Sequence, residues 1–568
     1  RVKTMTDFQS YVFKPFEEMT DADYAAIGFK SGLEIHQQLL TRRKLFCRCP
    51  AGRYSQHVDA EILRHMRPTL SEMGEYDGTA LMEFKTKKDI IYRINRGTVC
   101  TYEMDDTPPF EMNPQALDIA IEIGKLLNSS IVDEIHIARK QYLDGSIPTG
   151  FQRTAIVSVG GWVPFKDRKL NIIQMSIEED SCREAGDVGH VRTYIADRLG
   201  MPLIEMVTAP ELKTPHEVAE ANNLLRRLAR STRKVRTGMG ATRQDVNVSV
   251  TGGTRIEIKG VAHIKSIPLL TYNEAMRQWN LLRLRDELNS RGITADTFQA
   301  KVDDVTKLLH KTRYTPISSA IQEGKVVKVV TLRGWKNLLR WQTQTDTFFS
   351  KEISDRVRVI ACLSTIPNII HSDYLGETIS SSEGLKLRRA AGATENDTLV
   401  LVWGSEGDTE TAVKEIIIRA KEATIGIPAE TRQALWDGTN GFERILPGAD
   451  RMYPDTDLPP RVITTDRVAG IVAQMPERIW DTEARYEKMG VPKELIQKLS
   501  LSRFKNVFEK AVEMGISAKV ASIALVSNMK NISRMNLCTC SLTEELMLEI
   551  LLAYKSGRIS RHGILKYT

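Results

Sequence analysis

Residues 171–186 alternate apolar and polar side chains and then present three successive acids, which predicts a β-strand ending in carboxylates. The apolar face carries Ile173, Met175 and Ile177. Glu179 falls at the end of that face, whereas Glu178 and Asp180 fall on the polar face. A carboxylate at the inward end of a strand is costly to desolvate unless a cation or a fixed donor meets it. The stretch therefore predicts a hard-metal site, and a solvated turn is the alternative.

Four further segments predict strands that carry acids. Residues 32–39, 245–250 and 255–259 alternate, and residues 201–207 form an apolar run interrupted by Glu205. The polar positions of the alternating segments are Glu34, His36 and Gln38; Asp245, Asn247 and Ser249; and Arg255, Glu257 and Lys259. Several strands of one sheet would then offer acids to a common site. A sheet with a merely solvated outer face stays open as the alternative, because such sheets are common.

The last two strands predict a hairpin with a defined register. A two-residue Gly-Gly loop would mix polar and apolar residues on both faces, so a three-residue loop centred on Gly252 is favoured. This register pairs Ser249 with Arg255, Asn247 with Glu257, and Asp245 with Lys259. The polar side of the hairpin would carry acids, an amide and two cations.

Composition narrows the class of protein only modestly. The 568 residues indicate about three domains, and the net charge of +7 permits nucleic-acid binding without proving it. Seven irregularly spaced cysteines, with no signal peptide, predict a reducing cytoplasmic compartment without disulfides. No apolar run reaches the roughly 18 residues that a membrane span requires.

The predicted elements divide the chain into three parts. Residues 1–294, completed by 431–464, carry the acid-bearing sheet; residues 295–430 form an inserted α+β module; and residues 465–568 are helical. The individual predictions are helices over 113–128, 214–231, 271–292 and 408–422, and strands over 326–332, 357–361 and 399–403. A proline-rich loop over residues 446–460 is predicted to return to the first part through Asp450, Arg451, Asp455 and Asp457.

Three cysteines offer a second candidate metal site. Cys47 and Cys49 lie two residues apart, and Cys100 follows much later. With a fourth ligand they would suit zinc, but the spacing lacks a paired Cys-x2-Cys motif. Small buried thiols are the alternative.

The motifs resemble the family formed by the B and E subunits of glutamyl-tRNA(Gln) amidotransferases, and within it the archaeal-type E subunit. The resemblance is carried by residues 32–50, 138–154, 176–186, 202–212, 243–260 and 451–460, in the family's order. It implies an α+β, multidomain fold: an antiparallel-sheet catalytic (cradle) domain, an inserted module like that of bacterial-type aspartyl-tRNA synthetases, and an all-α tRNA-binding C-terminal domain. The chain departs from the bacterial B subunit by lacking a second cysteine pair.

The resemblance also implies a reaction. Glutamate attached to tRNA(Gln) is phosphorylated by ATP with Mg²⁺ and then amidated by ammonia, the work of an ATP-dependent, glutamine-hydrolysing ligase. The implied metal ligands are Glu34, His36, Glu178, Glu179 and Glu205, and Glu179 is also counted as catalytic. Lys140, Tyr142 and Asp245 would act at an ammonia passage. Asn247, Ser249, Glu257 and Lys259 would position the aminoacyl end or phosphates.

The chain shows no motif of its own for releasing ammonia, so a glutaminase partner is expected. The archaeal-type resemblance implies an asparaginase-like D subunit in a heterotetramer of two D and two E subunits. Two other hypotheses stay open. A non-catalytic tRNA-binding scaffold would bind RNA without hydrolysing ATP, and an unrelated ligase would turn over ATP with a small acid and no RNA.

Overall fold

The computed structural model describes residues 13–68, 78–374, 378–446, 452–535 and 542–567. The strands in these ranges are β1 Lys30–Gln38, β2 Ala60–Arg64, β3 Asp89–Ile94, β4 Ser130–Ile131, β5 Glu134–Ile135, β6 Ile137–Gln141, β7 Phe151–Val159, β8 Trp162–Phe165, β9 Arg168–Glu179, β10 Arg183–Val188, β11 Val191–Ile195, β12 Pro202–Thr208, β13 Thr242–Ser249, β14 Ile256–Val261, β15 Ala300–Asp304, β16 Val326–Leu332, β17 Gln342–Gln344, β18 Thr347–Phe348, β19 Ile369–His371, β20 Thr398–Gly404, β21 Glu430–Ala434, β22 Asn440–Ile445, β23 Met452–Pro454 and β24 Arg461–Val462. The α-helices are α1 Asp21–Ala26, α2 Gly78–Lys85, α3 Pro114–Leu126, α4 Pro215–Ser231, α5 Ile267–Ser290, α6 Thr315–Gln322, α7 Phe349–Ile360, α8 Ser381–Ala391, α9 Glu406–Ala423, α10 Thr465–Val472, α11 Ile479–Lys488, α12 Lys493–Ser500, α13 Lys505–Glu513, α14 Ala518–Ser522, α15 Met529–Arg534, α16 Glu544–Lys555 and α17 Arg561–Tyr567.

A twelve-stranded sheet dominates the first part of the chain. Its order is β22-β21-β14-β13-β1-β12-β9-β7-β6-β23, and β4 and β8 pair with β7 and β9. The pairs are antiparallel apart from β14 with β21, which run parallel. Both ends of this order, β22 and β23, come from the segment that follows residue 430.

One face of the sheet is covered by α3, α4 and α5, whose apolar side chains join it in one core. Leu33 and Ile35 of β1 point into that core and are fully buried. Their neighbours Glu34 and His36 point to the other face and are half-buried. The predicted alternation of β1 is therefore confirmed, and it separates the apolar core from the acid-bearing face.

The alternation predicted for β9 is interrupted by a bulge. Gln174 lies opposite Val207 and Ile172 lies opposite Thr208, so Ile173 is an additional residue with no partner between them. Ile173 is consequently 50% exposed, whereas Ile172, Met175 and Ile177 are buried. The prediction that Ile173 joins the apolar face was wrong because a bulge shifts the period of two.

The hairpin of β13 and β14 has the predicted register at its centre, where Asn247 lies opposite Glu257. Further along, Val246 faces Ile258 but Gln244 faces Val261, so Lys259 and Gly260 both oppose Asp245. Gly260 has a φ of +70°, a conformation that a side chain would strain. This bulge brings the Lys259 ammonium and the Gly260 amide to one carboxylate.

Smaller sheets complete the α/β part of the chain. The order β10-β11-β3-β2 forms one four-stranded sheet, and β15-β16-β20-β19 forms another that packs with α6 to α9. Residues 357–361 were predicted as a strand but lie mostly in α7. The spacing of the buried residues Phe349, Ile353 and Val357 is helical, and it extends beyond the short segment that suggested a strand.

The other predicted helices are largely confirmed. Asn113 caps α3 and Thr214 caps α4 through bonds to backbone N–H groups of their first turns. The long helix α5 begins at Ile267, four residues before the predicted Thr271, whose hydroxyl instead donates to the Ile267 carbonyl at 2.9 Å. Beyond β24 the described residues form helices with their own core. None of the helices in the described ranges is long and apolar enough to cross a membrane.

Two ionic networks tie distant segments together. Asp455, on the predicted returning loop, accepts from Arg139 at 2.8 Å and from Arg153 at 2.7 Å, and Asp457 accepts from both arginines at 2.8 Å. The predicted return of this loop is confirmed for these two acids, while Asp450 and Arg451 lie outside the described residues.

A second, fully buried network joins α5, α7, α9 and β21. Its members are three arginines and three glutamates: Arg277, Arg419, Arg432, Glu274, Glu352 and Glu430. Glu352 accepts from all three arginines: from Arg277 at 3.1 Å, from Arg419 at 3.1 Å and from Arg432 at 2.9 Å. The charges balance, so the network links the segment around residues 349–423 to the large sheet without a net buried charge. The mixed α and β, multidomain fold is thus confirmed, while the domain limits and the synthetase-like origin of the insert stay predictions.

Candidate functional site

The acid-bearing face of the large sheet borders a polar cleft made of two adjoining cavities. One cavity, of about 280 Å³, is lined by β1, β9, β13 and the loop after β6. The other, of about 410 Å³, extends toward β10, β11 and the end of α7. Both cavities are lined by Asp144, Lys259, Gly260, Glu443 and Arg444, so they meet at this corner.

Three neighbouring strands contribute His36, Glu178 and Glu205, called here the His36 cluster. His36 of β1 lies directly opposite Glu205 of β12, and β9 supplies Glu178 from the next strand. One ligand atom from each side chain lies within 4.8 Å of the others, and the His36 Nε2 is 3.3 Å from the Glu205 Oε1. Two carboxylates and an imidazole at this spacing can hold one divalent cation.

The carboxylates of this cluster are held in place by short polar side chains. Thr154 donates to the Glu178 Oε1 at 2.8 Å, and Gln152 donates to its Oε2 at 3.3 Å. Ser176 donates to Glu205 at 3.1 Å. Such partners fix ligand orientation, and their loss commonly costs 10- to 100-fold in metal affinity or activity, on the order of one to three kcal/mol.

Charge proximity changes the proton affinities in this cluster. Burial alone would lower the pKa of His36, but the hydrogen bond and charge of Glu205 outweigh it and raise the pKa to about 9. Burial and the neighbouring Glu205 raise the pKa of Glu178. Burial opposes ionisation of Glu205, yet the hydrogen bond from His36 and the charges of Lys140 and His36 hold its pKa below the usual range. The imidazolium thus supplies positive charge that a metal ion would replace.

A second group, the Asp245 cluster, consists of Glu34, Asp245 and Glu257 on β1, β13 and β14. One oxygen from each lies within 4.8 Å of the others. The Lys259 Nζ already neutralises part of this charge, at 2.9 Å from Asp245 and 2.8 Å from Glu257. Burial and the charges of Glu257, Glu205 and Asp245 raise the pKa of Glu34. This cluster therefore has less need of a metal ion than the His36 cluster.

Asn247 contacts the Asp245 cluster through Glu34. Its amide nitrogen donates to the Glu34 Oε1 at 2.9 Å, whereas its buried Oδ1 accepts no hydrogen bond from the described residues. The positive charge of Lys140 favours the ionised forms of Glu178 and Glu205, although burial outweighs it at Glu178. The Lys140 Nζ is 5.9 Å from the centre of the Tyr142 ring. The predicted residues Lys140, Tyr142, Asn247 and Lys259 are thus gathered near the two clusters.

Two predicted site residues lie elsewhere. Glu179 points to the opposite face of β9 from Glu178, where it accepts from the Tyr102 hydroxyl at 2.8 Å and from the Arg153 backbone N–H at 3.1 Å. It belongs to neither carboxylate cluster, so the single five-residue cage is replaced by two clusters. Ser249 lies at the far end of β13, opposite Lys30, and lines neither cavity.

Several charged residues of the cleft were not among the predicted ligands and catalytic residues. Asp180 is fully buried and accepts from Gln38 at 2.7 Å and Arg243 at 2.6 Å, which braces β9 against β1 and β13. Glu443 and Arg444, on β22, line both cavities. The alternation of β13 could have indicated Arg243. Residues 440–445 carry no alternation that would have distinguished Glu443 and Arg444 from solvent-facing charges.

The cysteine cluster gains a fourth polar member, Glu103. Ligand atoms of Cys47, Cys49, Cys100 and Glu103 lie within 4.8 Å of one another, a spacing suited to zinc. However, the Lys44 Nζ lies 2.9 Å from the Glu103 Oε1, and both side chains are fully buried. The Cys47 and Cys100 thiols donate to the same carboxylate at 3.1 and 3.0 Å, and burial raises the pKa of Cys100 to about 12. Lys44 already supplies the positive charge that a zinc ion would bring.

We therefore expect the purified chain to hold much less than one zinc ion, and a chelator to leave its thermal unfolding midpoint unchanged. Lys44→Met should lower the free energy of unfolding by about 3–5 kcal/mol, because it leaves the buried Glu103 carboxylate without a cation. Elemental analysis and chelator-dependent melting test the zinc content, and chemical denaturation measures the effect of Lys44→Met. One tightly held zinc per chain, released only on unfolding, would contradict the assignment.

The chain is similar to known proteins over most of its length. The family described as the GatB/GatE catalytic domain matches residues 29–469, a range that contains both carboxylate clusters. A protein of Methanocaldococcus jannaschii, named as the E subunit of glutamyl-tRNA(Gln) amidotransferase, is 39% identical over 96% of this chain and 86% of its own length. Proteins of the same name from Methanopyrus kandleri and Caldivirga maquilingensis are 38% and 37% identical, each over 96% of this chain and over 86% and 87% of their own lengths.

Proposed function

Because the chain belongs to the GatB/GatE catalytic-domain family, we propose that it is the subunit of a glutamyl-tRNA(Gln) amidotransferase that converts Glu-tRNA(Gln) into Gln-tRNA(Gln). In this reaction ATP transfers its γ-phosphoryl group to the side-chain carboxylate of the esterified glutamate. Ammonia then attacks the acyl carbon, inorganic phosphate leaves and a proton is lost. The observation that carries the proposal is the pair of carboxylate clusters facing one cleft.

The His36 cluster is suited to hold Mg²⁺, which would neutralise charge on the phosphate oxygens. The oxygen-rich donor set and the short polar side chains that orient it support this assignment. Lys140, whose charge favours the ionised forms of Glu178 and Glu205, would add a second cation near the transferred phosphoryl group. Both cations oppose the build-up of negative charge that makes a carboxylate a poor electrophile.

The Asp245 cluster is suited to handle ammonia. The Asp245 carboxylate is held by the Lys259 ammonium and by the Gly260 amide, at 2.9 and 3.1 Å, which lower its pKa against the opposing effect of burial. An ionised carboxylate at this position can hold ammonium by a hydrogen bond and take up its proton as ammonia attacks the acyl carbon; the lowered pKa keeps the carboxylate ionised but weakens it as a base. Asn247, Glu257 and Lys259 would position the glutamyl end, and Tyr142 would border the ammonia passage.

The partner and the RNA complete the proposal. The names of the relatives describe one component of a larger amidotransferase. A separate glutaminase, the asparaginase-like D subunit, would supply ammonia, and two copies of each component would form a heterotetramer. The helical region after residue 465 and the net charge of +7 suit contact with tRNA phosphates.

The test combines the purified chain and its glutaminase partner with Glu-tRNA(Gln), ATP and glutamine. Formation of Gln-tRNA(Gln) and tRNA-dependent release of ADP are expected. The scaffold hypothesis would instead give tRNA binding without ATP hydrolysis. The unrelated-ligase hypothesis would give ATP hydrolysis with a small acid in the absence of RNA.

Metal binding should depend on pH through His36, because a ligating imidazole must be neutral. With a pKa of about 9, His36 must lose a proton before it can bind a metal ion at neutral pH. The Mn²⁺ affinity, measured by calorimetry, should therefore rise about tenfold per pH unit from pH 7 and level off near pH 9. In His36→Gln the slope should become shallower; an equal slope in both proteins would contradict the assignment.

A further inference from the structure

Two consecutive side chains, Glu443 and Arg444, enter the cleft from β22, at one edge of the large sheet. Neighbouring residues of a strand normally point to opposite faces. Here Arg444 lies opposite Thr431 while Phe442 lies opposite Arg432, so Glu443 is an extra residue in a bulge. Bulges re-aim side chains and are frequent beside active sites. This one allows both side chains to line the two cavities where they meet.

Arg444 is 6% exposed, and its buried Nε makes no hydrogen bond with any residue that the structure describes. Its guanidinium carbon lies 5.5 Å from the centre of the Tyr142 ring. The Glu443 Oε2 is buried and likewise accepts no hydrogen bond within the described ranges. A buried polar atom that lacks a hydrogen-bond partner is unfavourable, and more so when the group is charged. A ligand that supplies the missing partners would remove this cost.

Two neighbouring side chains already have partners in the chain. Lys259 bridges Asp245 and Glu257, and the Asp144 Oδ1 accepts from the Ser146 backbone N–H at 2.9 Å. Glu443 and Arg444 offer one anion and one cation, on adjacent residues, to a single ligand. A complementary ligand carries a positive and a negative group a few ångströms apart. Burial raises the pKa of Glu443 to about 7, and a bound cation would favour its ionised form.

The esterified glutamate of Glu-tRNA has this charge pattern. Its α-carboxyl group is uncharged because it is esterified to the tRNA, so the free α-ammonium and the side-chain carboxylate are its two charges. We propose that Glu443 binds the α-ammonium and Arg444 binds the side-chain carboxylate, so that the pair selects the glutamyl group of the tRNA. The inference rests on the proposed function, since it names the residues that recognise that substrate.

The test measures equilibrium binding of the full-length chain, without nucleotide, to four forms of one tRNA. Glu-tRNA carries both charges, Gln-tRNA lacks the side-chain carboxylate, N-acetyl-Glu-tRNA lacks the ammonium, and uncharged tRNA lacks the amino acid. The variants are Glu443→Gln and Arg444→Gln. The control variants Glu184→Gln and Arg358→Gln change charged residues that line only the 410 Å³ cavity.

The wild-type chain should bind Glu-tRNA at least about tenfold more tightly than either modified form, as expected for loss of one charge-assisted hydrogen bond. Glu443→Gln should abolish the preference over N-acetyl-Glu-tRNA and keep the preference over Gln-tRNA. Arg444→Gln should do the reverse, and both controls should behave like the wild type.

Binding of uncharged tRNA reports whether each variant is folded, because uncharged tRNA lacks the glutamyl group that the corner is proposed to bind. Equal affinities of the wild-type chain for Glu-tRNA and both modified forms would overturn the inference while leaving the proposed function intact. Preferences that survive in both variants would overturn it as well. Failure of the wild-type chain to bind any form of the tRNA would instead count against the proposed function.

Discussion

Glu178→Gln is expected to lower tRNA-dependent ATP hydrolysis and Gln-tRNA formation by about 10²–10³-fold. Glu178 contributes one carboxylate to the His36 cluster and is held by Thr154 and Gln152, so the substitution removes a metal ligand while preserving side-chain size. Single-turnover kinetics with saturating tRNA separate this effect from a change in substrate affinity. A partial recovery at high Mn²⁺ concentration is expected if metal affinity is the quantity that falls.

The adjacent residue provides a matched control. Glu179→Gln removes the same charge from the next position of β9, but on the opposite face, where the carboxylate contacts Tyr102 and Arg153. We expect it to lower the free energy of unfolding by about 1–3 kcal/mol and to leave the metal dependence of ATP hydrolysis unchanged. If Glu179→Gln were as inactive as Glu178→Gln and equally metal-dependent, the division of the acids into two faces would be refuted.

Arg277→Met is expected to lower the free energy of unfolding by about 3–5 kcal/mol. Arg277 is fully buried, contacts Glu274, Glu352 and Glu430, and connects α5 to α7 and β21. Its removal leaves the buried network with one excess negative charge in a region that water does not reach. Chemical denaturation followed by circular dichroism measures the change.

An exposed arginine shows how much of that effect is due to burial. Arg93 on β3 lies 2.9 Å from Glu61, and both side chains are about half exposed. Arg93→Met should change stability by less than about 1 kcal/mol. Removing Glu430 together with Arg277, by replacing both with Met, should cost less than the sum of the single substitutions, since the remaining charges balance again. Additive losses would show that the network is not coupled.

The sequence predicted the elements whose hydrophobic period is undisturbed. Leu33 and Ile35 alternate with Glu34 and His36 without interruption, so β1 and its two faces were predicted correctly. Ile173 was misplaced because bulges are determined by the partner strand, and nothing within residues 171–179 indicates one. Residues 357–361 were misassigned because a five-residue apolar segment fits a strand and the end of a helix equally well.

The functional site was only partly predicted, because a local pattern does not show which strands are neighbours in the sheet. Alternation indicates which side chains share a face of one strand, and strand order then decides which of them meet. His36, Glu178 and Glu205 meet because β1, β12 and β9 are consecutive in the sheet. Glu179 was predicted as a ligand because a carboxylate at the inward end of a strand needs a cation or a fixed donor, and in the structure the Tyr102 hydroxyl and the Arg153 backbone N–H are those donors. Glu443 and Arg444 depend on a bulge and on pairing over more than 170 residues, which no local pattern reveals.

The late position of β21 and β23 in the sequence affects how the large sheet forms during synthesis. Strand β14 acquires its neighbour β21, and β6 acquires β23, only when the segment after residue 430 has been synthesised. Until then a nascent chain on the ribosome presents two unpaired strand edges, which are templates for aggregation. Chains truncated before residue 430 are therefore expected to require a chaperone, whereas chains extending beyond residue 454 protect both edges themselves.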